Sequence, residues 1–222
     1  MSRLTARNTA LCVVDMQGCE QESIQEPQWV PLVFNIRNII DEARSHAIPI
    51  IHIFLYKKLI RHHGPYQHQK GISPFTIPAS NVLRSETEEA HTLDQRRHII
   101  EPCYPNEGEF VLGKNRSDAF REGNFLTGKE SFRKTENIIV TGVLLDDCVL
   151  ETAIGAWRNN YHVIVPPETT ESPNHACQNK KKFLDENLKY GMEAPSLSSV
   201  IDRMHSARQR MTSLFGRLIP KL

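Results

Sequence analysis

The chain has 222 residues, enough for one domain with a substantial core, and its 27 basic and 26 acidic residues nearly cancel. That balance leaves no electrostatic footprint for a nucleic-acid partner or a membrane surface. Five cysteines, at 12, 19, 103, 148 and 177, show no CxxC spacing, and the opening MSRLTARNT has no signal-peptide core, which points to free thiols in a reducing cytoplasmic setting.

Ala10-Leu11-Cys12-Val13-Val14 is a continuous apolar run ending in Asp15, the pattern of a strand buried on both faces. A helix is predicted over 29–47, where Trp29, Leu32, Val33, Ile36, Ile40, Ala43 and Ala47 share one face. A second strand follows over 48–54, so the order strand, helix, strand implies a parallel crossover. Residues 56–108 are rich in proline and polar side chains, with one polar helix expected over 86–98. A connection this long in one domain reads as a pocket-shaping insertion. Phe110-Val111-Leu112 predicts a third strand ending just before Lys114, and 127–133 a short helix.

The middle of the chain carries the clearest unit. Ile138-Ile139-Val140 is a buried strand that Thr141-Gly142 breaks, and Asp146 and Asp147 offer N-cap chemistry. Val149, Leu150, Ala153, Ala156 and Trp157 then repeat at helical spacing, Asn160 is a left-handed stop, and 162–165 is the next strand. Cys148 thus opens a helix, where N–H groups and the dipole favour a thiolate. Thr152 and Ala153 allow close packing of helix on sheet; Ser117 and Phe120 set a local turn. A further helix is expected from Ser172-Pro173 to about residue 190, and a weak last strand over 194–197. Met204, Ala207, Met211, Leu214, Phe215 and Leu218 form the apolar stripe of a basic amphipathic helix over 203–222. Such a helix packs on its own domain or on a neighbouring subunit more readily than on a membrane. The fold class expected is α/β, a three-layer open, mostly parallel sheet with helices on both faces, as a single domain over 1–222.

Ligands of such sheets bind beyond the carboxyl ends of the strands. Asp15, Lys114 and Cys148 all fall there, from three distant parts of the chain. Singly, each has a bland reading: a turn residue, a solvated ammonium, a small buried hydrophobe. Together they form a nucleophile, a proton acceptor and a cation that favours the anion.

The stretches LCVVDMQ (11–17), KNRSDAF (114–120), TGVLLDDCVLETAIGA (141–156) and YHVIV (161–165) resemble the isochorismatase-like cysteine hydrolase superfamily, which includes nicotinamidases and N-carbamoylsarcosine amidases. The resemblance implies a catalytic Asp15, Lys114 and Cys148 and a cis Val143–Leu144 peptide. It further implies an oxyanion hole from the Leu144 and Cys148 N–H groups. It implies hydrolysis of a small-molecule amide or related C–N bond through a Cys148 thioester, without a cofactor, and a homo-oligomer as the assembly. Two alternatives stand beside that reading: an isochorismatase-type vinyl-ether hydrolase, and a catalytically idle relative acting as an oligomeric binding or scaffold protein.

Several positions depart from the family pattern. Nicotinamidases carry a metal-binding Asp-x-His after the second strand, where this chain has Phe54-Leu55-Tyr56-Lys57-Lys58. His62, His63 and His68 lie nearby without a carboxylate at ligand spacing, so no metal is expected. Leu145 replaces a common Thr, Pro166-Pro167-Glu168 replaces an Asp, and Asp147 stands beside the nucleophile, where it would raise the thiol pKa if the two faced each other.

Overall fold

The computed structural model describes residues 3–17, 24–55, 99–100, 103–114, 116–121, 123–127, 129–173, 179–189 and 191–206. The polar helix expected over 86–98, His62, His63, His68, His175, Cys19, Cys177 and the C-terminal stripe beyond residue 206 lie outside them.

Among the described residues, seven parallel strands form one sheet: β1 (Thr9–Val14), β2 (Ile50–Leu55), β3 (Phe110–Lys114), β4 (Asn137–Val143), β5 (His162–Ile164), β6 (Thr170–Glu171) and β7 (Met192–Glu193). Their order is β3-β2-β1-β4-β5-β7, with β6 paired to the end of β4. Both central strands are buried along their whole length, which explains why they read as unbroken apolar runs rather than as alternation.

Helices cover both faces. Helix α1 (Glu26–Ser45) buries Trp29, Leu32, Ile36, Ile39, Ile40 and Ala43. These pack with Leu11, Val13, Ile139 and Ile164 on one side of the sheet. Residues 197–206, helix α4, join the same layer through Leu197, Val200 and Met204. On the other side α2 (Leu150–Arg158) and α3 (Lys180–Asn187) cover Cys12, Val14, Val140 and Val163 through Ala153, Ala156 and Leu184. The alternation along β1 thus divides Leu11 and Val13 from Cys12 and Val14, and the three layers agree with the fold class read from sequence. Among the described residues no helix is long and apolar enough to cross a membrane.

Several boundaries differ from the expected ones. Helix α1 begins three residues early, with Pro27 in its first turn, where a missing N–H costs nothing. Strand β4 does not stop at Gly142 but runs through it. The helix expected over 127–133 contracts to a single 3-10 turn, Glu130–Phe132. Helix α3 starts at Lys180, where Asn179 accepts the Lys182 N–H and supplies the cap. The last strand lies at Met192–Glu193, and Leu197 already belongs to α4. Asn160, at φ 66°, is the left-handed stop after α2.

Candidate active site

Asp15 follows β1 in a left-handed conformation, φ 51°, which an Asp tolerates better than most residues. Its N–H donates to Ile53 O at 2.8 Å, and Gln17 N–H turns back to Asp15 O at 2.7 Å. Ile100 N–H donates to Met16 O at 3.0 Å, and Gln17 bridges Ile99. The chain returning from the long connection therefore clamps the turn that carries the carboxylate.

Lys114 is the last residue of β3, in register with Leu55. Its Nζ lies 2.8 Å from Asp15 Oδ2, with the two side chains 1% and 2% exposed. A buried ion pair of this kind is retained only when its remaining hydrogen-bonding capacity is used. Lys114 Nζ also donates to Ser117 O at 3.1 Å. Thr152 Oγ1 donates to that same carbonyl at 3.2 Å and accepts from Ala119 N–H at 3.3 Å. Thr152 is more than the small packing residue that its place in the sequence suggests: it is the hydrogen-bonding link by which α2 fixes the Ser117 turn and hence the ammonium. Burial works against the charge on Lys114, but the Asp15 carboxylate outweighs it and holds the ammonium above its ordinary pKa.

Cys148 sits in a π-helical turn, Leu145–Val149, between β4 and α2. The turn's wide bond runs from Val149 N–H to Leu144 O at 3.0 Å. The expected cap by Asp146 and Asp147 does not form: Leu144 occupies the N-cap position and no side chain bonds there. Asp146 instead accepts a short hydrogen bond from Ser172 Oγ, and Asp147 Oδ2 lies 3.9 Å from Cys148 Sγ, at the outer limit for a thiol donor. The Val143–Leu144 peptide is cis.

The thiol is not a resting thiolate. Burial first, then the negative charge of Asp15, pushes Cys148 up to about 12, against the pull of Lys114. The helix-end effect is worth about 1 kcal/mol, too little to offset burial of a side chain only 2% exposed. Alkylation of Cys148 by iodoacetamide, followed on its own peptide by mass spectrometry, will keep rising roughly tenfold per pH unit from pH 7 to 10. A plateau near pH 9 would show a thiol of ordinary acidity.

Asp15, Lys114 and Cys148, with Val143 and Leu144, thus meet at the carboxyl edge of β1, β3 and β4, and Cys148 interacts electrostatically with both partners. Asp15 Oδ1 is buried without a hydrogen-bond partner among the described residues. A separate cleft of about 680 Å³ opens on the α1 side, between Leu32, Asn35, Glu168, Glu171 and Lys180. None of the three residues lines it.

The fold is shared with solved isochorismatase-like hydrolases. A cysteine hydrolase from Pseudomonas syringae pv. phaseolicola superposes with a TM-score of 0.64 at 17% identity, covering 93% of this chain and 97% of that one. N-carbamoylsarcosine amidase from Thermoplasma acidophilum gives 0.56 at 20% identity, over 86% and 96%. The MAR1 ribonuclease of Caenorhabditis elegans gives 0.58 at 19%, over 91% and 84%. The chain belongs to the isochorismatase family: the model of the isochorismatase domain matches residues 9–186. No curated protein matches it.

Proposed function

We propose that the protein is a cysteine hydrolase of a small-molecule amide or a related C–N bond, with Cys148 as nucleophile. The observation that carries this reading is the buried Asp15–Lys114 pair beside the Cys148 thiol. The free lone pairs of Asp15 Oδ1 give the thiol proton a destination.

The thiol stays neutral until substrate arrives. As Sγ bonds to the carbonyl carbon, its proton passes to Asp15, and the carbonyl oxygen takes up negative charge. The Leu144 and Cys148 N–H groups receive that oxyanion, each donor being worth roughly 3–4 kcal/mol in the transition state. Collapse breaks the C–N bond, and Asp15 returns the proton to the departing nitrogen. Asp15 then takes a proton from water, whose oxygen attacks the thioester. The acid leaves, and the proton restores the thiol. Lys114 keeps Asp15 ionised and in place throughout, because an ammonium 2.8 Å away favours the carboxylate. A neutral resting thiol suits this sequence, since proton and nucleophile then move in one step rather than at the expense of a buried anion.

The balance of 27 basic and 26 acidic residues offers no field to attract RNA, so the ribonuclease reading of the MAR1 neighbours is not extended to this chain. The test is a panel of small amides, ureido compounds and isochorismate, run on wild type and Cys148→Ala in parallel. Turnover of an amide or ureido compound that vanishes in Cys148→Ala is the expected result. Turnover that survives the substitution rules out the nucleophile. Hydrolysis of isochorismate alone favours vinyl-ether chemistry, and an inert wild type favours a binding relative.

A further inference from the structure

At the opposite edge of the sheet, where α1 ends before β2 begins, three side chains gather that the proposed chemistry does not use. Glu42 lies in the last turn of α1 and His46 caps its end four residues on, and His205 comes from α4. One ligand atom from each lies within 4.8 Å of the others. His205 Nε2 is 2.9 Å and His46 Nδ1 3.8 Å from the same oxygen, Glu42 Oε2. The imidazole rings stand 5.2 Å apart at 22°.

We propose that Glu42, His46 and His205 form a binding site for a divalent transition metal of the zinc class, which clamps α4 onto α1. An ion pair between Glu42 and His205 explains two of the three groups but not His46. Its side chain is only 7% exposed, and its Nε2 is buried with no hydrogen-bond partner among the described residues. His46 Nδ1 lies 2.9 Å from the Glu42 main-chain carbonyl and 2.8 Å from Ser45 Oγ, which itself donates to that carbonyl; in the tautomer with the proton on Nδ1, which lets the carbonyl accept from both, Nε2 keeps a lone pair. A ring N–H held by a backbone carbonyl is the usual orienting contact of a metal-binding histidine.

The donor set is two imidazoles and a carboxylate, which suits zinc, cobalt or nickel better than calcium or magnesium. Nitrogen–zinc bonds of about 2.0–2.1 Å place ligand atoms roughly 3.3 Å from one another around a tetrahedral ion. The widest of the separations must therefore close by up to about 1.5 Å. Glu42 and His205, with side chains 26% and 49% exposed, have room to do so. Three protein ligands leave a fourth position for water.

The test uses the full chain after treatment with EDTA, titrated with zinc chloride by calorimetry and with cobalt chloride by absorption. Wild type and Cys148→Ala are expected to take up one equivalent with micromolar affinity or tighter. Cobalt should give the intense visible bands of a four-coordinate site. His205→Ala and Glu42→Gln should weaken binding by at least about 100-fold, while His162→Ala, a histidine elsewhere on the surface, should not. A hundredfold excess of zinc over its dissociation constant should raise the melting temperature of wild type by roughly 5–10 °C, and that of His205→Ala not at all. Zinc uptake that is equal in wild type and His205→Ala, or lost in Cys148→Ala, overturns the site. So does a wild type with no binding below about 100 μM. Circular dichroism of each variant separates lost ligands from lost fold.

Discussion

Gly142→Ala will lower stability by roughly 4 kcal/mol or more and abolish whatever activity the Cys148 site supports. Gly142 lies in β4 at φ 117°, opposite Val14 in β1. A methyl group there would stand 2.0 Å from Val14 O and 2.8 Å from Val14 N and C. Those are main-chain atoms of a central strand, so no side-chain rotation relieves the overlap. Relief requires β1 and β4 to part at the ends that carry Asp15 and the Cys148 turn. The control is Gly123→Ala, at φ 111° with nothing within 4 Å of the added carbon. It keeps the backbone penalty of about 1–2 kcal/mol and loses the collision. Urea unfolding of the two variants will separate them. Equal losses would show that backbone conformation, rather than the closeness of β1 and β4, decides the effect.

The same position shows what sequence can and cannot carry. Gly142 is legible as the exit from an apolar strand, but the reason for it lies on Val14, far away in the chain. Continuous apolar runs revealed β1, β2, β4 and β5, because strands buried on both faces leave an unbroken signal. Strands of two residues, β6 and β7, leave none. The convergence of Asp15, Lys114 and Cys148 on one sheet edge was legible because each ends or follows a recognisable strand. Thr152 was not, since a threonine hydroxyl that bonds two main-chain groups of another segment looks like any small helix residue. The Asp146–Asp147 cap failed for a related reason. Local propensity favours Asp at a helix start, yet here the turn is π-helical and Ser172, from the segment after β6, draws Asp146 away. The thiol acidity also depended on distant residues, because burial by both sheet and helix outweighs the short-range pull of a helix end.

Glu109→Gln will be a costly polar substitution outside the candidate site, and its cost will depend on pH. Glu109 stands before β3 and joins it to α1 and β2. Arg44 Nε donates to Oε1 at 2.7 Å and Nη2 to Oε2 at 3.1 Å. His52 Nε2 lies 2.7 Å from Oε2 and must be the donor there, because a carboxylate only accepts. Burial works to raise the Glu109 pKa, yet the bonds from His52 and Arg44 outweigh it and bring it to about 2 from an ordinary 4.5. A depressed pKa means that the folded form holds the carboxylate more firmly than the unfolded chain does. The stabilisation, about 3 kcal/mol by linkage, is complete above pH 4.5 and disappears as the pH falls through 2. Replacing the carboxylate by an amide removes it and leaves a half-paired guanidinium beside His52, whose side chain is 1% exposed. At pH 7 the melting temperature should therefore fall by roughly 6–12 °C. Between pH 4.5 and 2 the wild-type stability should decline toward that of the variant. Parallel pH profiles for the two proteins would show that the carboxylate is not the group whose protonation matters.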